Sequence, residues 1–214
     1  MPPSRLKSSM SCFPSLDASM LRSCSGRMPP CGTLPFSIRS TPLCCLSLLF
    51  YAAALPQVTV LKLLVFSDSH HSIGNMYDAV ELERPDQVFH LGDYVADAED
   101  LANAFGGLDM TYVPGNCDGF SAAAPSLLRE VCGTRIFLTH GHLFGVKTGL
   151  ARLLLEGRRL DAQLVLFGHT HRPLLQQQDG IWLLNPGSCS ALNGSYAAIT
   201  FEGGKFHCEL KEIC

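Results

Sequence analysis

From residue 60 onward the sequence alternates short apolar runs with polar clusters. The runs VLKLLVF, QVFHL, MTYV, TRIFL and AQLVLF are followed by SDSHH, GDYVAD, PGNCDG, THGH and GHTHRP, respectively. Continuous runs of Val, Ile, Leu and Phe of this length are typical of strands that are buried on both faces. The pattern therefore predicts a series of buried strands, each ending in a polar loop.

Segments with helical character lie between several of these strands. They are NMYDAVELE (75–83), ADAEDLANAF (96–105) and KTGLARLLLEGRRL (147–160). Strands that alternate with helices predict an α/β fold. The tail differs, because GIWLLNPGS, SYAAITFEGG and KFHCELKEI read as strands without intervening helices, and LLREVCGTRIFLTHG predicts a hairpin about Gly133. We therefore expect a second, more antiparallel sheet.

The first part of the chain is a different kind of sequence. Residues 1–60 hold five basic residues and one acidic residue, for a net charge of +4, whereas residues 61–214 hold 11 basic and 18 acidic residues, for −7. We predict that residues 1–57 are a disordered or non-native extension and that residues 58–214 form the domain. A cleaved leader is the alternative, since 43–55 is apolar, but this run is shorter than the ~20 residues of a membrane span.

The composition of residues 61–214 limits location and partners. Their five cysteines show no paired spacing, which favours a reducing cytoplasm, although a cleaved leader would place the domain in an oxidising compartment. The net charge of −7 and the lack of a basic stripe with interleaved aromatic residues argue against long nucleic acid as a partner. No membrane partner is expected, and self-association is left open.

The polar clusters share one chemistry. Ligands of open α/β sheets bind at the carboxyl ends of the strands, where these clusters are expected to meet. Histidine, carboxylate and amide donors together bind borderline divalent metals, and seven donors suit two metals that share one carboxylate. The candidate ligands are Asp68, His70, Asp93, Asn116, His140, His169 and His171.

The motifs DSH, GD, GNCD, THGH and GHTH, in this order, resemble those of the calcineurin-like metallophosphoesterase superfamily. LTHGHLFG and GHTHRP…NPGS are most similar to its small bacterial YfcE-like phosphodiesterases. The resemblance covers about residues 61–214. It implies a four-layer αββα sandwich of two mixed sheets flanked by helices, the metallophosphoesterase fold.

The resemblance also implies roles for the candidate ligands. Asp68, His70 and His171 would hold the first metal. Asn116, His140 and His169 would hold the second metal, with Asp93 bridging the two and with Asn116 and His140 also counted as catalytic. Two divalent ions, Mn²⁺ first with Ni²⁺, Fe²⁺ or Zn²⁺ as alternatives, would supply a bridging hydroxide that attacks the phosphorus of a small phosphoester.

Cys117 occupies a position where much of the superfamily has a histidine that assists the leaving group. A thiol with a pKa of ~8.5 is a poorer acid than an imidazolium, and the expected metal hydroxide already serves as nucleophile. We therefore interpret Cys117 as a catalytic-position substitution that tunes the enzyme toward activated diesters. The roles of His71, which stands where the family usually has glycine, and of His142 are left open.

The resemblance leaves three functional hypotheses. The first is a metal-dependent phosphodiesterase. The second is a phosphomonoesterase or nucleotide pyrophosphatase that uses the same site. The third is a non-catalytic binding scaffold like the retromer subunit of this fold, in which the site is degraded. The complete set of ligand positions in this sequence favours an enzyme over a scaffold. The sequence does not name the substrate or the metal.

Overall fold

The computed structural model describes residues 60–119, 121–190 and 194–213. The predictions for residues 1–57, including the apolar run 43–55, lie outside these described residues. Within the described ranges, no helix is long and apolar enough to cross a membrane. Four cysteines in these ranges, at positions 117, 132, 189 and 208, are free thiols.

The order of helices and strands follows the alternation seen in the sequence. The elements are β1 (Leu61–Phe66), α1 (Ile73–Glu83), β2 (Gln87–His90), α2 (Val95–Phe105), β3 (Asp109–Tyr112), β4 (Ser126–Val131), β5 (Thr134–Thr139), a short 3-10 helix (His142–Phe144), α3 (Ala151–Arg159), β6 (Leu164–Leu166), β7 (Leu174–Gln178), β8 (Ile181–Asn185), β9 (Ser195–Glu202) and β10 (Lys205–Glu212).

The strands form two mixed sheets of five strands each among the described residues. The first sheet has the order β10-β9-β1-β2-β3, with β1, β2 and β3 parallel and β9 and β10 antiparallel to their neighbours. The second has the order β4-β5-β6-β8-β7, with β5, β6 and β8 parallel and both edge strands antiparallel. Parallel strands end at the same edge, so each sheet gathers its polar loops on one side.

Three apolar clusters hold four layers together. The central cluster packs the inner face of β1, including Leu63 and Val65, against that of the second sheet, including Ile136 and Leu164. A second cluster joins the outer face of the first sheet to α1 and α2. A third joins the outer face of the second sheet to α3, through residues such as Leu153. This arrangement confirms the predicted αββα sandwich.

The hairpin about Gly133 is confirmed as β4 and β5. The prediction that the second sheet is more antiparallel was wrong, because its three central strands, β5, β6 and β8, are parallel. The strands near the C-terminus are also divided between the sheets, with β7 and β8 in the second and β9 and β10 in the first. The strand β9 pairs with both β1 and β10 in the first sheet. Tyr196 and Ala198 pack toward the helices, whereas Ala197 and Ile199 pack between the sheets, so β9 is apolar on both faces and suits an interior position.

The third helix is shorter than predicted. It begins at Ala151 rather than Lys147, because residues 145–148 form a turn in which the Thr148 N–H donates to the Gly145 carbonyl at 2.9 Å. The sequence prediction also missed β7, whose Gln-rich stretch LLQQQ lies at the edge of the second sheet.

Candidate metal centre

The candidate ligands follow the carboxyl ends of strands in both sheets. Asp68 and His70 follow β1, and Asp93 follows β2. The second sheet contributes His140 after β5 and the pair His169 and His171 after β6. The sandwich therefore brings residues that lie up to about 100 positions apart to one edge, as the Asp68–His169 contact described below shows.

The first group of potential metal-binding side chains is Asp68, His70, Asp93 and His171. One donor atom from each residue lies within 4.8 Å of the others. His171 Nε2 is 3.0 Å from Asp68 Oδ1, and His70 Nε2 is 3.9 Å from Asp93 Oδ2. The group is partly open to solvent, since the side chains of His70 and His171 are 30% and 45% exposed.

The second group is Asp93, His140 and His169, again with donor atoms within 4.8 Å of one another. His140 Nε2 is 3.5 Å from Asp93 Oδ1 and 3.2 Å from His169 Nδ1. Both Asp93 and His140 are buried. Asp93 belongs to both groups, which is the geometry that a bridging carboxylate requires.

The tautomer of His140 follows from its backbone contact. Its Nδ1 lies 2.7 Å from the Leu91 carbonyl oxygen, which can only accept a hydrogen bond. Nδ1 therefore carries the proton, and the lone pair of Nε2 faces Asp93 and His169. A cation among the three residues would be able to accept this lone pair.

A buried oxygen of Asp68 gives an independent test of whether these residues fit a metal. Oδ2 accepts hydrogen bonds from Ser67 Oγ at 2.5 Å and from the His169 backbone N–H at 3.1 Å. Oδ1 is buried and has no hydrogen-bond partner, although the His171 ring nitrogen lies near it. An unpartnered buried carboxylate oxygen is costly, and a divalent cation between Asp68 and His171 would satisfy it. The residues fit a metal.

Backbone strain is concentrated in the same loops. Non-glycine residues rarely adopt a positive φ, which costs roughly 1–2 kcal/mol per residue, and such strain clusters at functional sites. Five of the candidate ligands do adopt it, namely Asp68 (φ 54°), His70 (42°), Asp93 (58°), His169 (67°) and His171 (56°). The surrounding fold therefore holds these side chains in positions that the local sequence alone disfavours.

Two motif glycines allow the loops to approach the carboxylates. A side chain on Gly115 would overlap Asp93 Oδ1, and a side chain on Gly168 would overlap Ser67 Oγ. The glycines of the GN and GH motifs are therefore explained by close approach.

Cys117 belongs to neither group, and Asn116 precedes it in the loop that follows β3. Both are exposed, and Asn116 Nδ2 donates to Cys117 Sγ at 3.3 Å. The Cys117 backbone N–H donates to Asp93 Oδ1 at 2.9 Å. Burial, followed by a hydrogen bond to Asp93, raises the pKa of the Cys117 thiol. A thiol with a raised pKa stays protonated at neutral pH, in line with Cys117 not being a nucleophile.

Asp118 is a functional residue that the sequence reasoning missed. Its carboxylate accepts backbone N–H groups from Asp93 (3.0 Å), Tyr94 (2.8 Å), Val95 (2.7 Å) and Gly115 (2.6 Å). It therefore ties the loop after β3 to the start of α2, where the helix dipole favours a negative charge. The Asp in PGNCDG was visible in the sequence, but three of its four partners lie 23 to 25 residues away.

A buried polar network supports the loop that carries Asp68 and His70. His90 Nε2 lies 3.2 Å from Ser69 Oγ, and Ser69 Oγ donates to Asp97 at 2.6 Å. Burial lowers the pKa of His90 to about 4, so this histidine is neutral at physiological pH. The His71 side chain belongs to neither ligand group; it is 74% exposed and packs against Tyr94 with ring centroids 4.0 Å apart.

His142 stands next to the second group. Its ring centroid lies 5.3 Å from that of His140 and 6.2 Å from that of His169. Its Nδ1 is buried without a hydrogen-bond partner, and burial lowers its pKa. His142 therefore offers a neutral nitrogen at the edge of the site.

A four-layer sandwich that gathers histidines and aspartates at the carboxyl ends of its strands has the architecture of a metal-dependent phosphoesterase. The chain belongs to the calcineurin-like phosphoesterase superfamily, whose domain model matches residues 61–203. The predicted family is therefore confirmed. The predicted enzyme class, a phosphoric ester hydrolase, is confirmed at the level of the family.

Individual relatives agree with this assignment. Phosphodiesterase YfcE of Escherichia coli K12 is 37% identical over 94 residues, which are 40% of this chain and 47% of YfcE. A solved Streptococcus pneumoniae TIGR4 structure, described as a predicted phosphoesterase, is 26% identical with a TM-score of 0.62, covering 72% of this chain and 90% of that one. Vps29 of Entamoeba histolytica, solved with Zn²⁺, is 21% identical with a TM-score of 0.57, covering 72% of this chain and all of that one, and shows the fold alone.

Proposed function

We propose that this protein is a two-metal phosphodiesterase that hydrolyses a small phosphoester. The observation that carries the proposal is the position of Asp93, whose carboxylate belongs to both groups of candidate ligands. A carboxylate shared between two sets of His and Asp donors is the arrangement that a pair of divalent ions needs.

The proposed ligand sets are those implied by the sequence. Asp68, His70 and His171 would hold the first ion, and His140, His169 and Asn116 would hold the second, with Asp93 between them. Histidine, carboxylate and amide donors accept Mn²⁺, our first choice, as well as Ni²⁺, Fe²⁺ or Zn²⁺. When bound, the two ions would act as Lewis acids and lower the pKa of a water molecule enough for it to attack phosphorus at neutral pH.

The chain itself would hold this arrangement in place. His140 presents Nε2 because its Nδ1 proton is bound to the Leu91 carbonyl. The hydrogen bond from the Cys117 backbone N–H helps to lower the pKa of Asp93, against the opposing effect of burial, and keeps Asp93 ionised. Asn116 would complete the second set, because its neighbours on both sides, Gly115 and Cys117, lie against Asp93.

Cys117 would face the leaving group of the substrate. A protonated thiol is a weak acid, so we expect efficient turnover only of diesters whose leaving group needs little protonation. We predict that Cys117→His raises kcat for an alkyl phosphodiester by about 100-fold, the lower end of the usual range for general acid catalysis. Steady-state kinetics with an alkyl and a p-nitrophenyl diester would check this, and an unchanged ratio of the two rates would contradict it.

The alternatives are less well supported. A phosphomonoesterase or nucleotide pyrophosphatase would use the same ligands, and a specific observation in favour of either is lacking among the described residues. The Vps29 likeness makes a binding scaffold plausible through the fold alone. The intact set of His and Asp donors and the unpartnered Asp68 oxygen favour a metal-binding enzyme over a scaffold.

The remaining parts of the proposal concern partners and location. The substrate would be a small phosphoester rather than long nucleic acid, in keeping with the net charge of −7 on residues 61–214. The free thiols of the described residues agree with the reducing cytoplasm that we propose. Self-association stays open.

Hydrolysis of bis(p-nitrophenyl) phosphate tests the proposal directly. The full chain is stripped of metal, then supplied with Mn²⁺, and both turnover and bound metal per chain are measured. We expect Mn²⁺-dependent turnover with two ions bound, and Asp93→Ala to lower kcat by about 1,000-fold with loss of metal, because both ions lose a ligand. Asp100→Ala, an exposed acid on α2, is the matched control. A metal-loaded, folded chain without turnover would refute the diesterase.

A further inference from the structure

A cavity of about 550 Å³ lies against the loop that carries His169 and His171. Its wall includes Phe167, Thr170 and Arg172; Thr170 lies between His169 and His171 in the chain, and Arg172 follows His171. Consecutive Cα atoms are about 3.8 Å apart, so the cavity wall is one residue removed from each of these two candidate ligands. The volume falls within the roughly 300–1,000 Å³ of small-molecule sites.

The floor of the cavity is apolar. Val146, Leu150, Phe167 and Leu174 line it, and Val146 and Phe167 are also buried in the cluster that joins α3 to the second sheet. Phe167 is 1% exposed, so it is a fixed part of the core rather than a mobile lid. Such a floor suits the flat face of a ring.

The rim of the cavity is cationic. Lys147 and Arg172 both line it, and both are exposed. Neither forms an ion pair within 4.0 Å with an acidic group of the described residues, whereas other basic side chains such as Lys62, Arg158 and Lys211 do. Two unpaired cations above an apolar floor, in a domain of net charge −7, call for an anionic ligand.

We infer that this cavity binds the part of the substrate beyond the scissile phosphate, and that this part is a ring system carrying a second anionic group. The inference rests on the proposed function, because it assigns a substrate class to the same site. The ring would pack on the half-buried side chains of Leu150 and Leu174, and the second anion would lie between Lys147 and Arg172. The physiological substrate is then a ring-bearing organic phosphodiester with at least two negative groups.

Binding of thymidine 3′,5′-bisphosphate, a ring with two anions, tests the inference without measuring catalysis. Calorimetry on the Mn²⁺-loaded full chain gives Kd for the parent and for Lys147→Ala and Arg172→Ala. We expect each variant to weaken binding by about tenfold, the effect of losing one hydrogen bond to a charged group. Lys205→Ala, an exposed lysine at the start of β10, is the control that leaves Kd unchanged. Arg172→Lys should bind the bisphosphate more tightly than Arg172→Ala and more weakly than the parent.

A second probe tests the ring. Propane-1,3-diyl bisphosphate has two anions but no ring, and we expect it to bind about tenfold more weakly than the thymidine compound because it leaves the apolar floor uncovered. Equal affinity for both probes, or unchanged binding in both cavity variants, would overturn the inference.

The two proposals fail in different ways. If bis(p-nitrophenyl) phosphate is hydrolysed in a Mn²⁺-dependent way but the cavity variants bind the bisphosphate as the parent does, the phosphodiesterase proposal is supported and the binding cavity is refuted. If the cavity variants bind the bisphosphate more weakly but no hydrolysis is measured, the binding cavity is supported and the proposed catalysis is refuted.

Discussion

The two groups of candidate ligands differ in how firmly the protein holds them. In the second group, His140 is fully buried and tied to the Leu91 carbonyl. In the first group, the His70 and His171 side chains remain 30% and 45% exposed. Burial and a fixed tautomer orient a ligand before the metal arrives, whereas an exposed ring must be ordered by it. The second group is therefore built into the core, and the first group is completed at the surface.

Removal of one histidine from each group gives the largest expected contrast. In the metal-free chain, His140→Ala opens a buried site and leaves the Leu91 carbonyl unpaired, which should lower the free energy of unfolding by about 3 kcal/mol. His171→Ala removes an exposed ring and should change it by less than about 0.5 kcal/mol. Urea denaturation of both variants measures the difference.

Metal content should show the same contrast. We expect His171→Ala to retain one ion of the proposed pair, since the second group is complete without His171. Equal stability loss in the two variants would contradict a difference in preorganisation between the groups.

Asp118 ties the loop after β3 to the backbone of Asp93 and the start of α2, and its replacement is the next effect in size. Asp118→Asn substitutes an amide donor for one of the oxygens that accept four backbone N–H groups. Hydrogen bonds to a charged group are worth about 1.5–3 kcal/mol, so we expect a stability loss of about 2 kcal/mol. Because Asp93 is one of the four donors, the variant should also bind Mn²⁺ more weakly. Calorimetric titration with Mn²⁺ measures this, with Asp100→Asn as the control. An Asp118→Asn variant that is as stable as the parent and has the same metal affinity would show that the Asp118 hydrogen bonds are dispensable.

The sequence predicted the parts of the molecule that depend on local pattern. Buried runs such as LLVF and LVLF mark strands, and the polar residues that follow the parallel strands β1 and β2 place Asp68 and Asp93 at the same edge. The predicted bridging position of Asp93 agrees with its membership in both groups, although metal binding itself stays a prediction.

The features that the sequence did not predict depend on contacts between distant residues. The assignment of β9 to the first sheet is set by its pairing with β1, which lies more than 130 residues earlier in the chain. Asp118 in PGNCDG looks like an ordinary turn residue until α2 is placed beside it. Among the described residues, the lack of an ion pair at Arg172 likewise depends on where the fold places the acidic side chains.

A cluster on the outer face of the first sheet sharpens the comparison, because it should affect stability without affecting the site. Glu83, at the end of α1, accepts hydrogen bonds from Lys62 (2.9 Å), Lys211 (2.6 Å) and Tyr196 (3.1 Å). Burial alone would raise the pKa of Glu83, but these hydrogen bonds outweigh it and lower the pKa to about 2. A carboxyl group whose folded pKa is depressed stabilises the fold above its unfolded pKa of about 4.5, and that contribution is lost as pH falls toward 2.

Glu83→Gln should therefore lower the free energy of unfolding by about 1 kcal/mol at pH 7, a value reduced from the full pKa shift because both lysines are partly exposed. The difference from the parent should shrink as pH falls from 4.5 toward 2, since the parent glutamate then becomes protonated in both states. Denaturation at pH 7 and pH 3 measures this. Turnover at pH 7 should match the parent, because none of these four side chains belongs to a ligand group, and a loss of activity in Glu83→Gln would show that the cluster is coupled to the site.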